Sequence, residues 1–510
     1  MKHSNTAWRM SALGAVAALA LTGCATQGNA SDENPTLRLG VVTPLASFAP
    51  WEASWANQSP YLQAVYDTLL HADTDGSIMP ALATEWSYDD SRTVVTFTLR
   101  DDVTFSDGTE FTAEVAAENI LRFRDGTSEN AAFLTGVQSA VATDTHTLVV
   151  TLVEPDPAFL IYMTQNAGLQ GSPAMWDDPA AQTEPIGSGP YLLDEEATVA
   201  GSTWVFERRD DYWDAESYPY DEIEMTLYGD GTALMNAVKG GQVDATPLQS
   251  GTQLAEAEAA GYRAEISEFD WTGFVLADRD GAVNPALGDV RVRQAINHAL
   301  DRDGLAEALA AGWGTPTTQI FRQTSAAYDP SLDDRYPYDV EKARELLAEA
   351  GYPDGFTLAM PKSDFVPEAE YAIYAEQLGA IGITVEWEMT GDDLFGRMLG
   401  GSWAAFPMQL QADATAWQGI QFSMLPHSTW NPFKTEDATV VELAQTIRMG
   451  EEGAEEQAAA AQELNAYIVE QAWYAPAFRI QSAYVTNDST RIARQADNAV
   501  PYLWNIKPAN

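Results

Sequence analysis

The stretch MQLQADATAW, residues 408–417, holds a single carboxylate, Asp413, and no other Asp or Glu lies between Asp393 and Glu436. With 75 acids in 510 residues, proportion alone would place roughly six in that gap. A carboxylate left alone among amide and apolar side chains has three ordinary uses: it holds a ligand cation, caps a helix, or pairs with a base. The residues leave all three open, with a helix starting at Ala414 or an ion pair with Arg397 as the structural choices. Two amides, Gln409 and Gln411, stand four and two residues upstream. Aromatic residues crowd the same region, notably Trp403, Trp417 and Trp430. Such rings stack on sugar faces, apolar side chains or organic cations, and they also fill cores.

Reactive groups are otherwise scattered. No G-x-S-x-G elbow, G-x-x-x-x-G-K-[ST] loop, G-x-G-x-x-G turn or H-E-x-x-H pair occurs. Ser188, between the glycines of GSGP, reads as a turn residue, because a nucleophile needs an activating base and none is paired with it in the sequence. His71, His146, His298 and His427 are too dispersed to suggest a metal centre. Neither a metal nor a cofactor is expected, and the chain reads as a non-enzyme.

Charge narrows the partners. A formal net charge of −48 argues against nucleic acid, whose binding depends on Lys and Arg neutralising phosphates. The acids read mainly as a solvated surface. The N-terminal MKHSNTAWRM carries Lys2 and Arg9 ahead of the apolar run SALGAVAALALTG, which is too short to span a membrane stably. Residues 1–23 are therefore expected to be an export signal. Cys24 is the only cysteine of the chain, so no intrachain disulfide can form. The polar segment 25–35 reads as a tether.

The remaining 475 or so residues exceed what one core usually organises, so two or three domains are expected. Their pattern is mixed α and β without regular βαβ alternation. TLRLGVV (36–42) is a strand entering a Pro-punctuated loop that contains Phe48 and Trp51. TVVTFTLRDDVTFSDGTEF alternates as a hairpin, and TAEVAAENILRFRDG is a helix opened by Thr112. Past residue 272 helices predominate, and YAPAFRIQSAYVTN (474–487) returns to strand alternation. A chain that enters one lobe, builds another and crosses back has two crossover strands, one near Trp271 and one near Phe478.

Several of these blocks, in order, resemble one family. PALATEWSYDDSRTVVTFTLRDDVTFSDGTEFTAEVAAENI, PIGSGPYLL, RRDDYWDAESYPYDEIEMTLYGDGTALMNAVKGGQVDA, NPALGDVRVRQAINHALDRDGL, DVEKARELLAEAGYPDGF and AEQLGAIGITVEW are similar to the extracytoplasmic solute-binding proteins of family 5. That group includes dipeptide-, oligopeptide- and nickel-binding components of ABC importers. LTGC, residues 21–24, likewise resembles the lipobox of bacterial lipoproteins, in which the cysteine is diacylated, so Cys24 is expected to carry a lipid anchor.

The family resemblance implies a two-lobed α/β fold of the large type II periplasmic-binding-protein class. Lobe 1 would comprise 36–50, 185–272 and 480–510, the inserted subdomain 51–184, and lobe 2 residues 273–479. It implies a monomer that takes a peptide or small-molecule ligand between its lobes and passes it to permease subunits with an associated ATPase. In peptide-binding members a segment like GWxADYxDP supplies an Asp for the peptide ammonium, and Asp413 holds the matching place. Gln409 and Leu410 replace the usual Gly-Trp there, a departure that puts ordinary peptide specificity in question. The expected ligand contacts are Asp413, Gln411, Gln409, Trp403, Trp417, Trp430, Trp271, Phe478, Trp51 and Phe48. Oligosaccharide, chelated metal and a non-transport receptor role stand as alternatives. Arg291, Arg293 and Asp301 are expected to serve structural ion pairs or surface contacts.

Overall fold

The computed structural model describes residues 36–510 except 249, 364–367, 392, 413–414, 451–453, 496–497, 499 and 510. The expected signal, tether, Cys24 and Asp413 lie outside the described residues.

The chain opens with β1 (Thr36–Val41) and then helix α1 (Ser59–Val65), which carries Pro60 in its first turn, where a missing N–H costs nothing. A separate layer follows: β2 (Ala83–Tyr88), β3 (Val94–Leu99), α2 (Ala113–Arg124), β4 (Val137–Asp144), β5 (Thr147–Leu152) and the single turn α3 (Phe159–Tyr162). The four strands pair antiparallel in the order β2-β3-β5-β4. Val95, Phe97 and Leu99 of β3 and Leu148, Val150 and Leu152 of β5 alternate inward and pack with Val115, Ile120 and Phe123 of α2. Thr112 caps α2 by accepting the Val115 N–H, as the sequence predicts. The SDGT turn closes through Gly108 at φ +84°.

The chain then returns beside β1 with β6 (Tyr191–Leu193), β7 (Thr203–Arg208), β8 (Glu222–Leu227), α4 (Gly231–Lys239) and β9 (Ala245–Leu248), and runs out along the 14-residue β10 (Arg263–Leu276). Beyond it come α5 (Val290–Ala299), α6 (Arg302–Ala310), β11 (Gly314–Pro316), α7 (Val340–Glu349), β12 (Phe356–Lys362), α8 (Glu368–Ala380), β13 (Ile383–Met389) and β14 (Ala405–Gln411). Helices α9 (Ala416–Ser423), α10 (Ala438–Met449) and α11 (Glu455–Glu470) precede the 13-residue β15 (Tyr474–Thr486), which runs back.

One nine-stranded sheet records this path, in the order β14-β10-β15-β9-β1-β8-β7-β6, with β11 also on β15. Strands β10 and β15 pair antiparallel from Arg263–Thr486 to Val275–Tyr474. Their outer halves belong with β9 and their inner halves with β14 and β11, so these two strands carry the chain between the lobes. Register shifts interrupt the pairing at Glu268/Asp270 and at Thr272/Gly273. Gly273 is required at the second shift: its φ is +150°, and a Cβ there would sit 2.4 Å from the Ala475 carbonyl oxygen.

Distinct cores sit on either side. One gathers Leu37, Leu39, Phe48, Tyr61, Trp204, Phe206, Ile223 and Tyr502; another gathers Phe274, Leu276, Val292, Ile296, Leu347, Tyr374 and Phe478. The largest runs from the inserted sheet through Phe159 and Tyr162 to Trp403, Trp417, Trp430 and Leu464 of the second lobe. The GSGP turn explains its glycines: a Cβ on Gly187 would lie 1.8 Å from the Val65 carbonyl oxygen, and one on Gly189 2.5 Å from the Tyr66 nitrogen. Ser188 is buried in this turn beside the Asp67 carboxyl, a packing position.

Many acids cap helices: Asp230, Asp289, Asp301, Asp339 and Asp437 each accept a first-turn N–H. Arg291 pairs with Asp289 at 2.6 Å, and Asp301 is the cap of α6. Buried Arg293 donates to the carbonyls of Leu287, Gly288 and Gln471. All three therefore serve structure in the described residues.

Candidate functional site

A cavity of about 460 Å³ lies where the first lobe, the inserted subdomain and the crossover strands meet. Val42, Pro247, Leu248 and Ile480–Ala483 form one side, Trp55, Glu129, Asn130, Phe133 and Gln165 another, and Asp270 and Gln411 close it at the β10–β14 pair. The volume suits a small organic solute. Its described charged residues are Asp270 and Glu129; no Lys or Arg is among them. Amides from Asn57, Asn130, Gln165, Gln411, Gln481 and Asn498 supply both donors and acceptors.

Asp270 is the chemical centre of this wall. It stands at the first register shift of β10, opposite Gln411, and accepts a hydrogen bond from Gln409 Nε2 at 2.7 Å. Burial raises its carboxyl above the ordinary aspartate range, while the Gln409 hydrogen bond and the nearby Arg322 charge pull it back. A carboxylate with that balance gains from a cation placed in the cavity. Trp55 adds an apolar face, and its buried indole N–H has no hydrogen-bond partner among the described residues, which leaves a donor for a ligand oxygen. Farther along β10, a second cavity of about 520 Å³ carries both signs, with Glu268 and Asp75 facing Arg322 and Arg494.

The residues expected from sequence divide into two groups. Gln409, Gln411 and Trp271 come together at the β10–β14 pair: Gln411 lines the cavity, Gln409 holds Asp270, and Trp271 borders a small void with Gln411 and Phe422. Trp271 is 2% exposed and packs edge-on to Tyr474 at 5.6 Å. The other aromatics pack elsewhere. Trp403 lies buried under the Arg397 guanidinium at 4.3 Å, Trp417 is buried below Arg448, and Trp430 packs between Phe406 and Phe422. Phe478 fills the second-lobe core against Gly314, and Phe48 meets Phe206 in the first-lobe core. Trp51 lies below Arg122, and it is Trp55, four residues on, that faces the cavity. Large rings fall to the interior because each removes 150–250 Å² from water, and composition does not say which ones face a cleft.

Asp413 itself lies outside the described residues. Helix α9 starts at Ala416 and is capped by Thr415 in a full capping box with Gln418, so the expected start at Ala414 is two residues early. Arg397 pairs with Glu388 at 3.1 Å. Asp270, missed by the sequence reading, had one available signal: it is the acid immediately before the crossover Trp271.

The family model for bacterial extracellular solute-binding proteins, family 5 Middle, matches residues 77–435. The chain belongs to that family. It is a family of solute-binding proteins, not of enzymes, and its members work outside the cytoplasm. The glutathione-binding protein GsiB of Escherichia coli K12 is 26% identical over 347 residues, which cover 66% of this chain and 66% of that protein. Two solved structures share the family 5 protein's architecture. HbpA2 from Haemophilus parasuis gives a TM-score of 0.84 at 20% identity, covering 93% of this chain and 100% of its own. The periplasmic binding protein DppA from Helicobacter pylori, in complex with the peptide STSA, gives 0.74 at 19%, covering 93% and 98%. The two-lobed α/β fold of the type II periplasmic binding proteins is thereby established. Among the described residues, no helix is long and apolar enough to cross a membrane.

Proposed function

We propose that this family 5 protein is the lipid-anchored, monomeric substrate-binding component of an ABC importer, capturing a peptide or other small amine-bearing solute between its lobes. The observation that carries the reading is Asp270: a desolvated carboxylate, steadied by Gln409, in a cavity whose described lining has no basic side chain. A ligand ammonium would place a cation against Asp270 from the cavity side, which Arg322 does not line, with Asp413, two residues beyond Gln411, as a second acid from the same segment. The apolar body of the solute would rest on Trp55 and Phe133, and its carbonyls would meet Trp55 Nε1 and the amides.

Lobe 1 (36–50, 185–272, 480–510), the insertion (51–184) and lobe 2 (273–479) would close about β10 and β15. Ligand touching more than one body stabilises the closed arrangement, and that arrangement docks on the permease subunits with their ATPase. Export by residues 1–23 and acylation of Cys24 would keep the protein at the cell membrane. The GsiB and DppA matches support a peptide-like solute as the first class to test. Thermal unfolding is followed with glutathione, di- and tripeptides, oligosaccharides and a nickel–histidine chelate. Stabilisation by an amine-bearing solute is expected. Stabilisation only by a sugar or the chelate would replace the ligand class, and no shift with any would favour a receptor role.

A further inference from the structure

Away from the cleft, the inserted subdomain and the second lobe meet along a seam pinned by Arg448, which ion-pairs with Glu154 and donates from Nε to the Pro155 carbonyl at 3.0 Å. Beside the seam lies a cavity of about 510 Å³. Phe133, Asp156 and Tyr162 line it from the inserted side, and Gln421, Phe422 and His427 from the second lobe. Phe133 and Tyr162 stack with ring centroids 4.5 Å apart and planes 12° from parallel, so they act as one apolar plate. No Lys or Arg is among the described lining residues.

Two carboxylates line that wall, Glu154, which is ion-paired with Arg448, and Asp156. Asp156 Oδ1 accepts the Ala158 N–H at 3.0 Å, and the Asp156 carboxyl lies against the Trp417 indole. Burial pushes the carboxyl up to about 6, and Arg448, the nearby guanidinium, is committed to Glu154. A half-buried acid, a stacked aromatic plate and a second-lobe Phe422 thus converge on one space of ligand size.

We propose that this seam cavity is a second ligand site, separate from the cleft, that takes an organic cation: a primary ammonium on the Asp156 carboxylate and an apolar or aromatic body against Phe133, Tyr162 and Phe422. The cation faces both a carboxylate and ring π-faces, the two partners that recognise an ammonium in partly dry surroundings. Its walls come from two bodies, so an occupant braces the inserted subdomain against the second lobe. Phe133 also lines the cleft cavity, which links the two sites through one side chain.

The test is calorimetric titration of full-chain Asp270→Asn, whose cleft lacks its carboxylate, with benzylamine, and with benzyl alcohol as the neutral comparator. Benzylamine is expected to saturate one site, and the alcohol to bind at least about tenfold more weakly. Asp156→Asn, which keeps an acceptor for the Ala158 N–H, is expected to weaken benzylamine about tenfold or more without lowering the unfolding temperature of the free protein. In the parent chain, the binding step that Asp270→Asn retains belongs to this site and any step it removes belongs to the cleft, which separates the two. Should Asp156→Asn fail to fold, Phe422→Leu at a position 36% exposed decides by the same loss. Absence of saturable binding in Asp270→Asn, or an unchanged affinity when Asp156→Asn is added to it, would overturn the proposal.

Discussion

Replacing Asp270 by Asn removes one negative charge from the cleft and little else. Gln409 Nε2 now donates to Asp270 Oδ2 at 2.7 Å, and an Asn carbonyl oxygen can accept that bond in the same place. The unliganded protein should be as stable as the parent or slightly more so, because burial already penalises this carboxylate. Binding should respond in the opposite direction. A hydrogen bond to a charged group contributes about 1.5–3 kcal/mol, which at 1.4 kcal/mol per tenfold is roughly a 10–100-fold loss of affinity. The assay is isothermal titration with whichever of glutathione, dialanine or trialanine stabilises the parent. For the parent, affinity should also weaken as pH falls, and the loss should begin above the ordinary aspartate value because burial raises the Asp270 pKa. An affinity within twofold of the parent would refute Asp270 as the anchor; if Asp413→Asn then shows the loss, the anchor is Asp413.

Two further predictions concern the frame around the cleft. Arg479, 1% exposed on β15, holds Glu268 at 2.6 Å and Asp333 at 2.8 Å, so Arg479→Met leaves two half-buried carboxylates unpaired. Unfolding free energy by urea should drop by about 3–5 kcal/mol, and a change under 1 kcal/mol would show that the network contributes little. Asp67, 2% exposed, is pushed up to about 6 by burial despite hydrogen bonds from Tyr212 (2.6 Å) and Trp213 (3.2 Å). A raised acid binds its proton more tightly when folded, so this contribution is full below about pH 4 and lost as pH rises through about 6, a term on the order of 3 kcal/mol. Relative to Asp67→Asn, the parent should lose that much between pH 4 and 7; parallel stability curves would contradict it.

Local chemistry carried much of the fold into the sequence. The Thr112 cap, the Gly108 turn and the alternation of Val95, Phe97 and Leu99 are rules acting over a few residues, and each appears where the pattern places it. The two crossover strands were visible as Trp271 and Phe478 in strand-like runs bracketing a helical region. The cleft wall was less legible. Asp270 follows Glu268 in SEFDW, and the register shift between them decides which acid faces which neighbour, something simple alternation cannot reveal. Trp51 and Trp55 are equally aromatic, and long-range packing under Arg122 or beside Tyr502 separates them. Likewise Trp403 and Trp417 stand in the segment nearest Asp413, yet tertiary contacts with Arg397 and Arg448 hold them in the interior.

The most direct measurement is native mass spectrometry of the mature protein purified without refolding. The account predicts a fraction of molecules carrying one small amine-bearing solute, released on denaturation and diminished in Asp270→Asn. Protein without any retained solute, which also binds none of the peptides, amines, sugars or chelates offered to it, would contradict capture between the lobes.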